Sequence, residues 1–323
     1  MQNSASLVVV LGTGGTIAGT AASSSDDSSY TAAQLSITQL LAAVPGLAGV
    51  PIESEQVAQI DSKDMSHAIW QALALRVAHH LARAEVAGIV ITHGTDTLEE
   101  TAYFLQRVLA PAKPVVLTGA MRPATSAKAD GPRNLLDAVA VVRQATDAGL
   151  NGVLAVLHGR VHGARQVRKA HPARRDAFDS GEAGPLASVD NGMLRCLAAQ
   201  GATPASGHLP PLSAALHCAV ADWPRVEIVV SHAGASGAVV RALCADGVDG
   251  LVVAATGNGT LHHEIEAALF TAQDQGVAVR RSARSRDGRV LQPGAQGLPG
   301  AGDLSPVKAR IELMLALMPP DAP

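Results

Sequence analysis

The run Gly88-Ile89-Val90-Ile91-Thr92-His93-Gly94-Thr95-Asp96-Thr97-Leu98-Glu99-Glu100-Thr101-Ala102 does most to limit what this chain can fold into. Its apolar start reads as a buried strand, His93 to Thr97 as a turn, and Leu98 onward as a helix by spacing. Hydroxyls and a carboxylate therefore stand where a strand ends and a helix begins, which is where open α/β sheets bind ligands. A second run, Leu7-Val8-Val9-Val10-Leu11-Gly12-Thr13-Gly14-Gly15-Thr16-Ile17-Ala18-Gly19, repeats that logic. Two threonine-bearing turns at strand C-termini can share one rim, and that rim is the expected active site.

The rest of the chain fits the same architecture. Strand-like runs recur at 7–11, 88–92, 114–118 and 152–157. Helical patterns fall at 66–84, 97–109 and 132–143, with Ile69, Leu73, Val77 and Leu81 on one face of the first. This βαβ alternation predicts an α/β fold whose mostly parallel sheet is flanked by helices. Residues 199–213 are rich in Pro, Gly and Ser and lack periodicity, as a linker does. Strands at 226–230, 250–254 and 277–280 then alternate with helices at 236–245, 261–275 and 306–318. The expected organisation is a larger N-terminal catalytic domain over 1–198, a linker over 199–224, and a smaller α/β domain with a parallel sheet over 225–323. Residues 20–29 are too poor in apolar side chains to build a core and suggest a flap beside Thr16 that ends at Tyr30.

Composition narrows the partner. Hydrophobic residues make up 47% of the 323 and charged ones 16%, enough for a sizeable core. A formal charge of −3 and 2% aromatics argue against nucleic acid and leave a small molecule as the partner. Cys196, Cys218 and Cys244 are odd in number and far apart, which suits a reducing compartment. No basic, long apolar leader opens the chain and no stretch has transmembrane length, so no membrane partner is expected. The cytoplasm is the expected location, with the periplasm the alternative if a leader has been removed.

Familiar cofactor motifs fail on spacing. In the first glycine-rich turn the third glycine of a dinucleotide fingerprint is replaced by Ile17, and no acid occurs between Asp27 and Glu53. The Walker A lysine and the G-x-S-x-G elbow are also missing. His158 and His162 lack the intervening glutamate of a zinc helix. Neither metal nor organic cofactor is expected. Thr97-x-x-Glu100 matches a capping box, which would leave Thr95 and Asp96 facing the crevice. Taken singly, Thr16 also fits an ordinary turn, Lys169 a solvated surface position, and Ser62 the cap of the helix near His67.

Together these runs resemble the bacterial L-asparaginase (asparaginase/glutaminase) family. Thr13-Gly14-Gly15-Thr16-Ile17-Ala18-Gly19 looks like its first threonine signature and Thr92-His93-Gly94-Thr95-Asp96-Thr97 like its second. Gly119-Ala120-Met121-Arg122-Pro123, Ala129-Asp130-Gly131-Pro132 with Asn134, and Gly257-Asn258-Gly259 also match, closer to the type II branch. The resemblance implies hydrolysis of L-asparagine to L-aspartate and ammonia through a threonine acyl-enzyme. It implies Thr16 as nucleophile with Tyr30 beside it, and Thr95, Asp96 and Lys169 as a second catalytic cluster. Ser62, Lys63, Thr95, Asp96 and Ala120 would bind substrate. Asn258 would complete the site of a neighbouring subunit in a homotetramer built as a dimer of dimers.

Two positions depart from the family pattern. Lys63 follows Ser62 where glutamine or glutamate is common, and the 281–292 loop holds Asp287 but no glutamate to reach a neighbour's substrate amine. The alternatives are a glutaminase-asparaginase of broad specificity, hydrolysing L-glutamine as well, and a catalytically silent amino-acid sensor on the same fold.

Overall fold

The computed structural model describes residues 7–23, 30–197, 212–291 and 297–319. The chain divides into two compact units, Met1–Pro211 and Leu212–Pro323. In chain order the first unit contains β1 (Leu7–Gly14), β2 (Thr20–Ala21), β3 (Tyr30–Thr31), α1 (Ile37–Ala42), β4 (Ile52–Ile60), α2 (His67–Leu81), β5 (Val86–Thr92) and α3 (Leu98–Leu109). It continues through β6 (Val115–Thr118), α4 (Gly131–Gln144), β7 (Val153–Leu157), β8 (Arg160–Gly163), β9 (Arg168–Lys169), β10 (Phe178–Asp179), β11 (Ala187–Asp190) and β12 (Met193–Cys196).

Eight of these strands form one sheet in the order β12-β11-β8-β7-β6-β5-β1-β4. The run from β4 to β7 is parallel throughout, whereas β7, β8, β11 and β12 pair antiparallel. The mostly parallel sheet read from the sequence is thus present, with an antiparallel edge that the βαβ pattern did not foretell. That edge starts at a two-residue turn in which His158 (φ 49°) and Gly159 (φ 69°) are both left-handed. Histidine is an uncommon choice there, so the hairpin signal is faint.

Strand β1 shows why the sheet is buried on both faces. Val8 and Val10 point into a core with Ile37, Leu135, Ala138 and Val142 from α1 and α4. Val9 and Leu11 alternate to the opposite face, where α2 and α3 pack, and they too are fully buried. The caps follow ordinary chemistry. The Ser66 side chain accepts from the Ile69 N–H at the start of α2, Glu99 and Glu100 open α3, and Pro132 sits in the first turn of α4. Because β4 and β5 flank β1 on opposite sides, the chain reverses direction across the sheet at β1 and β5. Their C-terminal ends border the switch-point crevice.

The second unit holds α5 (Ala214–His217), β13 (Val226–Val230), α6 (Ala238–Ala245), β14 (Gly250–Ala255), α7 (His263–Asp274), β15 (Ala278–Ala283) and α8 (Pro306–Leu317). Strands β13-β14-β15 form a parallel sheet. Leu251, Val253 and Val279 pack with Val240 of α6 and with Ile265 and Leu269 of α7. Of the stretch read as a linker, 199–211 lies outside the described residues. Residues 212–224 hold the short α5 and a single 3-10 turn rather than extended chain. Among the described residues no helix is long and apolar enough to cross a membrane.

Candidate active site

Three backbone segments meet at the C-terminal ends of β4, β1 and β5. Gly14 (φ 102°) and Gly15 (φ 80°) adopt left-handed conformations, and the Gly15 N–H donates to the Ile60 carbonyl at 2.8 Å. A Cβ on Gly15 would lie 2.3 Å from both Cα and N of Gly94, and a Cβ on Gly94 would lie 2.4 Å from Ser62 Oγ. The turns therefore touch backbone to backbone, a closeness that only glycine permits. Thr13 Oγ1 adds a lateral tie by donating to the Thr92 carbonyl at 2.9 Å.

On this platform stand two hydroxyl clusters. Thr16, 8% exposed, follows Gly15 and has its Oγ1 2.7 Å from Oη of Tyr30, the first residue of β3. Thr95, 5% exposed, follows Gly94, and its Oγ1 accepts from Lys169 Nζ at 2.9 Å. The same ammonium donates to Asp96 Oδ1 at 2.7 Å. Ser62 Oγ accepts from the Asp96 N–H at 3.2 Å, which ties the third segment to this turn. Thr16 with Tyr30, and Thr95 with Asp96, Lys169 and Ser62, are thus brought to adjoining turns. The flap segment between the two short strands, residues 24–29, lies outside the described residues.

Several individual expectations need correction. Thr97 makes no capping hydrogen bond; its Oγ1 donates to the Ser62 carbonyl at 2.8 Å, so it braces the site instead. Ser62 does not cap α2, a role taken by Ser66, but lies buried in a 3-10 turn. Lys63 is well exposed, with Nζ 2.5 Å from Asp61 Oδ2 and 3.7 Å from Asp64 Oδ2. Its hydrogen bond with Asp61 holds the ammonium above the ordinary lysine range. Ala120 is fully buried beyond β6, one residue after Gly119, whose Cβ would meet the His93 carbonyl at 2.6 Å. Asn258 belongs to the second unit, where its exposed side chain accepts through Oδ1 from the Leu291 N–H at 3.2 Å. Gly257 and Gly259 beside it have φ of 46° and 82°.

Motif residues to which no role had been assigned support the site from behind. His93 is wholly buried. Its Nδ1 lies 2.7 Å from the Gly94 carbonyl and its Nε2 2.9 Å from Thr101 Oγ1, which in turn accepts from Trp70 Nε1 at 2.9 Å. Carbonyl oxygen can only accept, so Nδ1 carries the proton and Nε2 receives the threonine hydroxyl. Burial lowers the His93 pKa to about 4, keeping the ring neutral. Asp130 accepts from the N–H groups of Met121 and Arg122 at 2.9–3.1 Å. Asn134 donates to the Gly119 carbonyl at 2.9 Å and accepts from the His158 N–H at 3.0 Å. The Asp130–Asn134 motif thus binds together the loops after β6 and β7. The histidine inside the turn His93 to Thr97 is the sequence feature that carries the network behind Thr95.

Sequence and fold are both shared with known proteins. The family model described as "Asparaginase, N-terminal" matches residues 7–200, and that of the "Glutaminase/Asparaginase C-terminal domain" matches residues 225–321. The chain is similar to an L-asparaginase 2 of Escherichia coli (strain K12), 39% identical over 318 residues that cover 96% of this chain and 88% of that protein. A glutaminase-asparaginase of Pseudomonas fluorescens biotype A is 38% identical, with 96% and 86% covered. The crystal structure of a probable cytoplasmic L-asparaginase from Campylobacter jejuni superposes with a TM-score of 0.88 at 38% identity, covering 97% of this chain and 95% of that one. With both domain models matched in order and whole-length relatives above 30% identity, the chain belongs to the asparaginase family.

Proposed function

We propose that the chain is an amidohydrolase that converts L-asparagine to L-aspartate and ammonia, with Thr16 as nucleophile. The observation that carries this reading is the pairing of two nearly buried threonine hydroxyls, each bonded to a polar partner, across the Gly15–Gly94 contact at the switch point. Thr16 Oγ1 gives up its proton and attacks the side-chain amide carbonyl. Ammonia leaves with the proton it gains, and water then cleaves the resulting ester, returning the hydroxyl. A threonine hydroxyl needs a polarising partner, and Tyr30 Oη stands at 2.7 Å. Lys169, bonded to Thr95 Oγ1, sets the direction of that hydroxyl. Backbone N–H groups of the two glycine-bearing turns stabilise the oxyanion.

Recognition of the amino-acid end follows from the free valences. Ser62 Oγ accepts from Asp96 N–H, so its own proton is available to an α-carboxylate. Asp96 uses Oδ1 for Lys169, which leaves Oδ2 for an α-ammonium. Lys63, held by Asp61, adds long-range attraction for the carboxylate. Asn258, on an exposed glycine-flanked turn, completes the site of a neighbouring protomer, and the working particle is a homotetramer. Three free cysteines fit action in the cytoplasm.

Glutamine hydrolysis is the second reading. It is supported by the similarity to a glutaminase-asparaginase, and the 281–292 loop, which holds Asp287 but no glutamate to reach a neighbour's substrate amine, leaves the preference between Asn and Gln to be measured. Ammonia release measured with the L- and D-forms of Asn and Gln separates the two. Preferred turnover of L-Asn supports asparaginase, comparable turnover of L-Gln supports the broader enzyme, and binding without ammonia overturns both in favour of a sensor.

A further inference from the structure

We propose that Glu99 is a positioning residue that holds the backbone of Lys169 in register with Thr95 and Asp96; this rests on the reading of that cluster as catalytic. Strand β9 is only two residues long and, among the described residues, pairs with β10 alone, Lys169 opposite Phe178. On that side the ladder is secured next door, where the Ala170 N–H donates to the Ala177 carbonyl at 2.7 Å. The N–H of Lys169 itself goes elsewhere, to Glu99 Oε1 at 3.1 Å. Glu99 is the second residue of α3, the helix that begins directly after Thr95, Asp96 and Thr97. A carboxylate there is favoured by the helix N-terminus.

The consequence is geometric. A lysine side chain has four flexible bonds, so two contacts at its tip do not by themselves fix where its Cα lies. The tip is set by Thr95 Oγ1 at 2.9 Å and Asp96 Oδ1 at 2.7 Å, and the root by Glu99, all three presented by one turn and the helix it starts. Lys169 is therefore gripped at both ends by the same short segment, Thr95–Glu99, although it comes from a strand 70 residues further along the chain. Glu99 touches a backbone amide and no reacting atom. Its contribution is the acceptor oxygen rather than the charge, which separates this role from simple stabilisation of the helix start.

Steady-state kinetics on L-asparagine and melting temperatures for Glu99→Gln, Glu99→Ala, Lys169→Ala and the Glu99→Ala/Lys169→Ala double variant test this. Glu99→Gln keeps an acceptor oxygen and retains kcat within about threefold. Glu99→Ala loses roughly 10- to 100-fold in kcat, with KM nearly unchanged and little change in melting temperature, as expected for a small misplacement of a reacting group. The double variant is no worse than Lys169→Ala. Wild-type kcat in Glu99→Ala beside an inactive Lys169→Ala overturns the positioning role and leaves the cluster reading standing. Full activity in Lys169→Ala overturns both. Equal impairment of Glu99→Gln and Glu99→Ala, or additive losses in the double variant, overturns the acceptor role. Should Glu99→Ala not fold, Glu99→Asp shortens the reach by one methylene and gives the same kcat loss; unchanged kcat there overturns the proposal.

Discussion

Thr16 and Thr95 each carry a hydroxyl that is a poor nucleophile alone but is bonded here to Tyr30 Oη or Lys169 Nζ. Replacing either, as Thr16→Ala or Thr95→Val, removes the hydroxyl without opening a core cavity. We expect kcat to fall by about three orders of magnitude with the fold retained, checked by ammonia release together with circular dichroism. A tenth of wild-type turnover in either folded variant rules out its catalytic role. Lys63 behaves differently, because its ammonium is exposed and already paired with Asp61. Lys63→Gln is expected to raise KM by less than roughly tenfold and leave kcat unchanged, since exposed ion pairs are weak. His93 is tested through pH. Its folded pKa of about 4 lies below the ordinary 6.5, so the unfolded chain takes up the proton first. The stability it contributes is complete above pH 6.5 and is lost as pH falls toward 4, on the order of 3 kcal/mol in all. His93→Gln flattens that acid-side loss in thermal melts recorded from pH 7 to 4; an unchanged slope shows that His93 is not the group responsible.

The elements matter here through what their ends can bring together. Strands β1 and β5 are neighbours with Gly12 opposite Thr92, so the two turns that follow must pass each other at close range. Gly15 and Gly94 are the solution, and the approach leaves no room for a Cβ. Gly15→Ala adds one methyl 2.3 Å from the Gly94 backbone and places alanine at φ 80°. Its cost is at least about 1–3 kcal/mol of stability, with loss of most activity as the turns separate. Chemical denaturation and turnover measured on the same preparation check this, and a variant of wild-type stability and activity refutes the close-approach argument. Helix α3 shows the same principle from the other side. Its first turn carries the acids expected of a helix start, and one of them, Glu99, also holds Lys169.

At the scale of the whole molecule, the asparagine turn of the second unit sits between two left-handed glycines, and Arg281 donates to the Gly259 carbonyl at 2.8 Å. The Asn258 amide is thereby presented outward on a braced turn. If it completes a neighbour's site, Thr16→Ala and Asn258→Ala subunits, each nearly inactive alone, form hybrids in which one site regains both residues. Refolding the two together then recovers a measurable part of the activity. A mixture as inactive as its parents, or an active enzyme that sediments as a monomer, contradicts the shared site.

Local patterns that depend only on neighbouring residues were legible in the chain itself. The apolar run Leu7–Leu11, the helical spacing of α2 and the threonine turns after β1 and β5 express periodicity and turn chemistry, which a sequence carries directly. Other features required the tertiary structure, because they depend on residues far apart in the chain. Nothing near Thr97 indicates that its hydroxyl would brace Ser62 instead of capping its own helix, since that choice was made by a segment 35 residues away. The hairpin at His158-Gly159 turned the sheet edge antiparallel through a backbone conformation that its residues signal only faintly. Sequence pattern thus determined which elements form and which strand ends carry reactive groups. Packing determined which of those groups meet, because contact between Gly15 and Gly94, or between Glu99 and Lys169, exists only after the strands have taken their order in the sheet.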